Sequence, residues 1–244
     1  SLTIDCYAPE GIGIGNDYDH GYGDITIDFG GTLEIISNSV EAICIGGGQN
    51  DDDSDIKLRS GRIKISIYSH NGLAIGSFNG DANVDIGENC SLDLSISGNR
   101  ITGIGSCKGI STISSDADTI MSCTGAQAVG IGVLEDGEGS IYIRKGTISM
   151  KMRSAKHSCI GSVKGNINTK IQNASITIDS EGDEVTGIGD ATGTGNVTIT
   201  DSEVSMTVNA GNPNDIGTAT GDVQIQNSNV TSLVNNKRTT YANN

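Results

Sequence analysis

Apolar and polar residues alternate along this chain in short runs, and the runs return at a nearly constant distance from a repeated Ile-Gly pair. The steps between successive pairs are 31, 30, 29, 27, 29, 28 and 28 residues. A period of this length without the i, i+3, i+4 pattern of a helix indicates a solenoid, in which each repeat buries its apolar face against its neighbours. The pairs are Ile14-Gly15, Ile45-Gly46, Ile75-Gly76, Ile104-Gly105, Ile131-Gly132, Ile160-Gly161, Ile188-Gly189 and Ile216-Gly217.

Three short strands are predicted in each repeat. The first is apolar at alternate positions before the anchoring isoleucine, as in Ile63, Ile65 and Ile67, which is typical of a strand with one buried face. The Ile-Gly pair marks the second, and a middle strand such as Ile25-Thr26-Ile27 follows. The pattern predicts an all-β, single-stranded parallel β-helix with three sides and about eight coils of 27–31 residues. Parallel crossovers are strongly right-handed, so we expect a right-handed solenoid.

The two ends of the chain differ from the repeats. Residues 1–10 read as a partial N-terminal coil, because Leu2, Ile4 and Cys6 occupy the apolar positions of a strand that precedes an anchor. The β-helix is expected over residues 11–234, and residues 235–244 form a polar C-terminal tail. This tail looks too polar to cap a stack of coils, so we expect a further segment or a partner to cover that end.

The residues beside the anchoring isoleucines are unusually small. Alternation places Gly13, Cys44 and Ala74, among others, on an exposed face that is almost bare of side chains. We interpret the glycines as permitting a tight bend next to the isoleucine. The alternative is a smooth docking groove.

Composition and charge restrict the function. The chain carries 15 Lys and Arg against 30 Asp and Glu, a net charge of -15, and nucleic-acid binding is therefore not expected because phosphate contacts need clustered cations. No apolar run is long enough to cross a membrane, and the first residues lack the pattern of a signal peptide. An acidic surface is compatible with calcium, with cationic partners or with plain solubility.

Six cysteines are present, and their positions in the repeat argue against disulfides. Cys6 and Cys123 share one position four coils apart, as do Cys44 and Cys159, which separates each pair by roughly 19 Å. A disulfide needs Cα atoms within about 7 Å. We therefore predict reduced thiols, with a bond between Cys107 and Cys123 left open. His157 and Cys159 lack a third nearby ligand, so neither zinc binding nor thiol catalysis is expected.

Opposite charges are predicted to stack on neighbouring coils. Lys64 lies between Glu34 and Asp93 in the repeat, Lys151 meets Asp179, and Lys57 meets Asp85. Two carboxylates about 5–9.5 Å apart would suit a glycosidase. Because Lys64 separates Glu34 from Asp93, we interpret these residues as stabilising cross-strand pairs rather than as a catalytic site.

The turns after the first two anchors are long and acidic. Adjacent coils place them side by side, and carboxylates at this density are typical ligands of Ca²⁺. The spacing is neither that of an EF-hand nor that of the Gly-Gly-x-Gly-x-Asp nonapeptide, and a solvated acidic loop is the alternative. The candidate calcium ligands are Asp17, Asp19, Asp51, Asp53 and Asp55. Tyr18 and Tyr22 add aromatic faces in the first turn, and Tyr142 on a middle strand is a third candidate for ligand binding.

A resemblance is carried by Ile45-Gly46-Gly47-Gly48 and by Gly23-Asp24-Ile25-Thr26-Ile27, followed by Gly30-Gly31-Thr32-Leu33. These residues resemble the Gly-Ile-Gly and Ile-Thr-Ile repeats of surface proteins from anaerobic, often gut-dwelling, Firmicutes. At a coarser level the chain is similar to clostridial right-handed β-helix proteins that bind acidic polysaccharides with calcium. The resemblance implies a β-helix at the cell surface or outside the cell, and the later coils keep only the Ile-Gly part of the motif.

Two classes of function follow from these patterns. The first is a non-enzymatic extracellular or cell-surface module, adhesin-like or glycan-binding, with a polysaccharide or a host glycan or protein as partner. The second is a polysaccharide lyase or hydrolase, which the architecture alone supports. The absence of Trp weakens stacking against sugars, so a purely structural stalk or protein-binding role is a third alternative.

Overall fold

The computed structural model describes residues 1–15, 23–48 and 53–243, and in these ranges it contains strands and no helix. The long strands run through the corners between two sides of the coil. The strands are β1 (Leu2–Cys6), β2 (Glu10–Gly15), β3 (Gly23–Ser37), β4 (Glu41–Gly47), β5 (Ser54–Ser77), β6 (Ala82–Ser106), β7 (Ile110–Ser115), β8 (Asp118–Val133), β9 (Gly137–Ile143), β10 (Gly146–Ser162), β11 (Gly165–Gln172), β12 (Ala174–Asp190), β13 (Val197–Thr200), β14 (Glu203–Ile216), β15 (Val223–Gln226), β16 (Asn229–Val234) and β17 (Lys237–Thr240).

The strands stack as the repeat predicts. Parallel pairing joins each anchoring isoleucine to the next, from Ile14 opposite Ile45 to Ile188 opposite Ile216. Two other ladders run beside this one, one through the strands before the anchors and one through the middle strands. The chain is therefore an all-β solenoid of about eight parallel coils, as the sequence predicted.

The core is a narrow column of aliphatic side chains. The inward positions of the three ladders are buried in the central coils, among them Ile65 before an anchor, the anchor Ile75 and Ile86 on a middle strand. Each coil alone could bury little of this surface, because its side chains meet mainly the equivalent residues of the coils above and below. Stacking thus supplies the burial that a single coil lacks.

The strand that carries the Ile-Gly pair is buried on both faces, which corrects the expectation of an exposed small-residue face. Cys44 and Ala74 are 0 % exposed. The turn after the pair folds back over the outer side and forms a second apolar cluster. That cluster consists of Ile43, Leu73, Phe78, Cys107, Val129, Leu134 and Val163. The docking groove of the alternative interpretation is therefore absent from these described coils.

Glycine is required after the anchor by both conformation and space. Gly46 has a φ of 144° and Gly105 a φ of 130°, in the region that favours glycine. A Cβ atom on Gly46 would collide with the carbonyl oxygen of Gly76 in the next coil, and one on Gly105 would collide with that of Gly132. The steric interpretation of the repeated pair is therefore supported, and the pair fixes the register between coils.

The C-terminal segment adds one strand to the end of the solenoid, which its polarity did not predict. β17 pairs antiparallel with β16 through backbone hydrogen bonds, which polar side chains do not prevent. Asn235 and Asn236 form the turn between them with φ values of 45° and 65°. The Asn235 side chain bonds both the amide and the carbonyl of Ala210, and Tyr241 packs against the core.

All six cysteines are free thiols, as predicted, so the structure contains no Cys107–Cys123 bond. Register places Cys6, Ser37, Ile67, Ile96 and Cys123 in one column, which confirms the four-coil separation. Burial raises the pKa of the Cys107 thiol to about 11 and that of the Cys159 thiol to about 12. These thiols therefore stay protonated and fill space in the core as small apolar groups.

Candidate functional site

One side of the solenoid presents a continuous outward surface built from the middle strands, and we call it the middle face. Its central column has one residue per coil, because parallel in-register pairing repeats the same position at intervals of about 4.8 Å. None of these side chains is buried. In order along the rod the column contains Thr26, Lys57, Asp85, Ser114, Tyr142, Lys170, Thr198 and Gln224.

Tyr142 is the aromatic residue of this column. Strand β9 holds it between Ser114 of β7 and Lys170 of β11, and the inward neighbours Ile141 and Ile143 anchor the strand in the core. Its side chain is 45 % exposed, and the Lys170 ammonium lies over the ring, 5.8 Å from its centroid. Lys170 comes from the following coil, and the neighbour of Tyr142 in the preceding coil is Ser114, which has a smaller side chain.

The N-terminal part of the middle face is acidic. Asp24, Asp53, Asp55 and Asp81 line a shallow cavity of about 380 Å³. Their oxygens are partly engaged, since Asp53 Oδ1 accepts the Asp81 amide at 3.0 Å and Asp81 Oδ1 accepts the Ile110 amide at 2.8 Å. These bonds continue the coil-to-coil pairing through the turns.

Asp55 is the most fully occupied of these acids. Its two oxygens meet Lys57 Nζ at 2.7 Å and Asn83 Nδ2 at 3.3 Å. The hydrogen bond and the charge of Asp55 raise the pKa of Lys57. Asp55 therefore helps to hold Lys57 on the middle face.

Most of the other candidate site residues lie outside the described ranges. These are the calcium candidates Asp17, Asp19 and Asp51 and the aromatic candidates Tyr18 and Tyr22. Within residues 1–15, 23–48 and 53–243, no group of three or more His, Cys, Asp or Glu side chains is arranged to hold a metal ion. Asp53 and Asp55 thus form no calcium site by themselves, and a shared site with the acidic turns stays a prediction.

The cross-strand charge ladder has the predicted register but different partners. Lys64 does lie between Glu34 and Asp93. However, Asp93 pairs with Arg62 at 3.3 Å, and Asp179 pairs with Arg153 at 2.5 Å. In the same way Lys57 pairs with Asp55 of its own strand, whereas Asp85 is bound by Arg59 and Arg144. The arginine side chain is long, and its planar group of donors matches a carboxylate. Arginine therefore pairs with the acid in place of the lysine that lies directly opposite it.

His157 is buried in β10, and both of its ring nitrogens have polar partners. Nδ1 lies 2.8 Å from the Ser154 carbonyl and Nε2 lies 2.6 Å from Ser180 Oγ. A carbonyl only accepts, so Nδ1 carries the proton and Nε2 accepts from the serine hydroxyl. Burial lowers the pKa of His157, and the charge of Arg153 adds to this effect. This histidine is structural, since at 1 % exposure it meets no solvent.

Two exposed side chains were missed as candidates by the sequence analysis. Tyr68 lies in β5 directly after Ile67, in the part of the strand that precedes the anchoring isoleucine, and it is 73 % exposed. Lys170 was not considered beside Tyr142, although the repeat places both in the same column one coil apart. Counting 28 residues back from Lys170 would have found this contact in the sequence.

Comparisons with family models, curated proteins and solved structures give no match for this chain. In the part of the chain that the structure describes, no helix is long and apolar enough to span a membrane. The class that the fold defines is a parallel β-solenoid, and arguments about function depend on the middle face itself.

Proposed function

We propose that this chain is a non-enzymatic extracellular or cell-surface module that binds a glycan along its middle face. The observation that carries the proposal is the exposed ring of Tyr142 near the centre of the outward polar column of the middle face. Aromatic rings bind the apolar faces of sugars, and hydroxyl and amide groups beside the ring bind the sugar hydroxyls.

The shape of the face favours an extended ligand over a compact one. Its side chains repeat at one residue per coil, so a chain-like ligand laid along the rod meets similar groups at regular intervals. The neighbouring column is also polar and contains Thr112, Ser140, Asn168 and Asn196. Asn196 Nδ2 already donates to Asn168 Oδ1, so Thr112, Ser140 and the Asn168 amide nitrogen are the groups of this column that a ligand would meet. An adhesin-like role fits such a surface.

Calcium belongs to this proposal as an accessory ion. Asp53 and Asp55 border the acidic cavity at the N-terminal end of the middle face. With Asp17, Asp19 and Asp51 from the long turns they would supply the oxygen ligands that Ca²⁺ requires. Bound calcium would reduce repulsion between carboxylates at the end of the face where a glycan chain would enter.

A glycan array probed with and without calcium tests the proposal. We expect binding to a subset of polysaccharides, and assays for reducing ends and for unsaturated uronides on the bound glycans should show no product. Product formation would favour a lyase or hydrolase instead. An array without any bound glycan would favour a structural stalk or a protein-binding role.

A further inference from the structure

Three residues form the corner between the strand before the anchor and the Ile-Gly strand in successive coils. In the first three coils these corners are residues 7–9, 38–40 and 68–70, and the residues on both sides of them pair in register. A backbone hydrogen bond continues this pairing into the corner, because the Asn38 amide donates to the Cys6 carbonyl at 3.0 Å. The corners therefore stack at the spacing of the coils, about 4.8 Å.

The first three corners expose large apolar side chains. Tyr7 is 70 % exposed, Val40 58 % and Tyr68 73 %, and we call these three residues the corner patch. The two tyrosines hold the same position two coils apart, and Val40 lies on the coil between them. Exposed apolar groups that lie together mark interaction surfaces. In the later coils the position of the tyrosines is polar and holds Ser97, Thr124, Arg153, Glu181 and Asn209.

The corner patch has acidic neighbours. Asp5, two residues before Tyr7, and Glu10, three residues after it, are both exposed. Among the described residues, neither carboxylate takes part in an ion pair. A partner that carries a cation beside apolar groups therefore complements this surface in charge.

From these observations we infer that the corner patch binds a proline-rich segment in the polyproline II conformation, with an arginine or a lysine beside its prolines. This helix has three residues per turn and rises about 3.1 Å per residue, so one side of it returns about every 9.3 Å. The two tyrosine positions are two coils apart, which is about 9.6 Å. Successive turns of the segment therefore contact Tyr7 and Tyr68 at once, and its basic residue lies beside Asp5 or Glu10.

The chemistry of a polyproline II segment matches the patch in two further ways. The segment is already extended before it binds, so its association with aromatic side chains costs little conformational entropy. Its backbone has no internal hydrogen bonds, and its carbonyls are free to accept from the tyrosine hydroxyls. The corner patch is separate from the middle face, so the inference goes beyond the proposed glycan binding and does not depend on it.

The test is calorimetric titration of the protein with a peptide of nine prolines followed by two arginines. Its all-D enantiomer has the same composition and charge but the opposite helical hand, and we expect it to bind about tenfold more weakly. A peptide with two glutamates in place of the arginines should also bind about tenfold more weakly. Equal affinity for the two enantiomers, or no binding of the L peptide at millimolar concentration, would overturn the inference.

Variants of the protein test the two rings and their spacing. Tyr7→Ala and Tyr68→Ala should each weaken binding of the L peptide about tenfold. Ile120→Ala is the control, since it removes another exposed apolar side chain and should leave the affinity within twofold. The double variant Tyr68→Ala with Ser97→Tyr keeps two rings but separates them by three coils, about 14.4 Å, and should bind as weakly as Tyr68→Ala. Wild-type affinity in the double variant would contradict the match in spacing and overturn the inference.

A second copy of this chain could cover the same patch, and sedimentation of wild type and Tyr68→Ala distinguishes the two occupants. A monomer in both supports the peptide site. A dimer that Tyr68→Ala dissociates would overturn the inference, because the patch would then be covered by the protein itself. Failure of peptide binding while an arrayed glycan still binds would overturn this inference alone and leave the proposed function in place.

Discussion

The Ile-Gly side and the middle face of each coil differ in which positions recur from coil to coil. On the Ile-Gly side the chain is buried on both faces, and the positions that recur in every coil are those that the neighbouring coil constrains. On the middle face only the inward residues recur, while the outward residue changes from acid to tyrosine to lysine along the rod. In this chain, therefore, repetition identifies the scaffold, and variation within the repeat identifies the candidate site.

The largest effect is expected from a methyl group on the Ile-Gly side. Gly105→Ala should reduce the free energy of unfolding by about 3 kcal/mol or more, because it imposes a positive φ on alanine and a collision with the next coil's backbone. Urea unfolding followed by circular dichroism measures the change. Gly30→Ala is the matched control, since nothing lies within 4 Å of its added Cβ, and it should change stability by less than about 0.5 kcal/mol. A similar small loss in Gly105→Ala would contradict the steric role of the repeated glycine.

The dependence of thermal stability on calcium tests whether the acidic end of the middle face binds this ion. Binding to the folded state alone, at 100 times the dissociation constant, would add about 2.7 kcal/mol. EDTA should therefore lower the melting temperature by about 5 °C or more. The double variant Asp51→Asn with Asp53→Asn should melt at the same temperature with and without the ion. A wild-type melting curve indifferent to millimolar calcium would show that these acids are solvated surface.

Low pH should reduce the free energy of unfolding through the buried His157. Its pKa is lowered in the folded state, so the unfolded chain takes up a proton first as pH falls below about 6.5. Stability should be unaffected by this group above that pH. Below it, stability should fall by up to about 1.4 kcal/mol per pH unit until the folded-state pKa is reached.

The contribution of His157 can be isolated with two variants. His157→Gln should flatten the fall in stability between pH 6.5 and 5, even if its stability at neutral pH is lower. His70→Gln, which changes an exposed histidine, should retain the fall. An unchanged slope in His157→Gln would show that other groups cause the acid sensitivity.

The smallest effect on stability is expected at the centre of the middle face. Tyr142→Ala removes an exposed side chain whose contact with Lys170 is weak, so the free energy of unfolding should change by less than about 0.5 kcal/mol. Thermal unfolding of the variant beside wild type measures it. A loss above 2 kcal/mol, roughly that of a buried side chain, would mean that Tyr142 supports the fold rather than a ligand.

The fold was predictable because two features of the repeat, its spacing and its alternation of apolar residues, indicate it directly. The Ile-Gly spacing gives the register of every coil, and the alternation before each anchor gives the buried positions. The prediction of strict inward and outward alternation was wrong within the Ile-Gly strand. Ile12 pairs with Ile43 and Ile14 with Ile45, but the ladder has no pair between Gly13 and Cys44. The irregular backbone there turns Cys44 inward. The turn that folds over Ile43 could not be predicted from an alternation of apolar and polar residues.

Side-chain partners were less predictable than strand register. Lys57 has Asp85 opposite it on the next coil and Asp55 two residues earlier on its own strand, and the two positions differ by only about 2 Å in separation. Sequence alone does not decide between them. The strand in the tail was not predicted for a different reason, because β17 pairs with β16 through its backbone, and the polarity of Lys237 and Arg238 does not indicate such pairing.

The most direct test of glycan binding on the middle face is calorimetric titration of wild type, Tyr142→Ala and Tyr68→Ala with one glycan selected on the array. Both variants remove an exposed tyrosine ring, but only Tyr142 lies on the middle face. We predict that Tyr142→Ala weakens binding at least tenfold, which corresponds to about 1.4 kcal/mol, whereas Tyr68→Ala leaves the affinity within twofold of wild type. Wild-type affinity in Tyr142→Ala, or an equal loss in both variants, would contradict the assignment of the site.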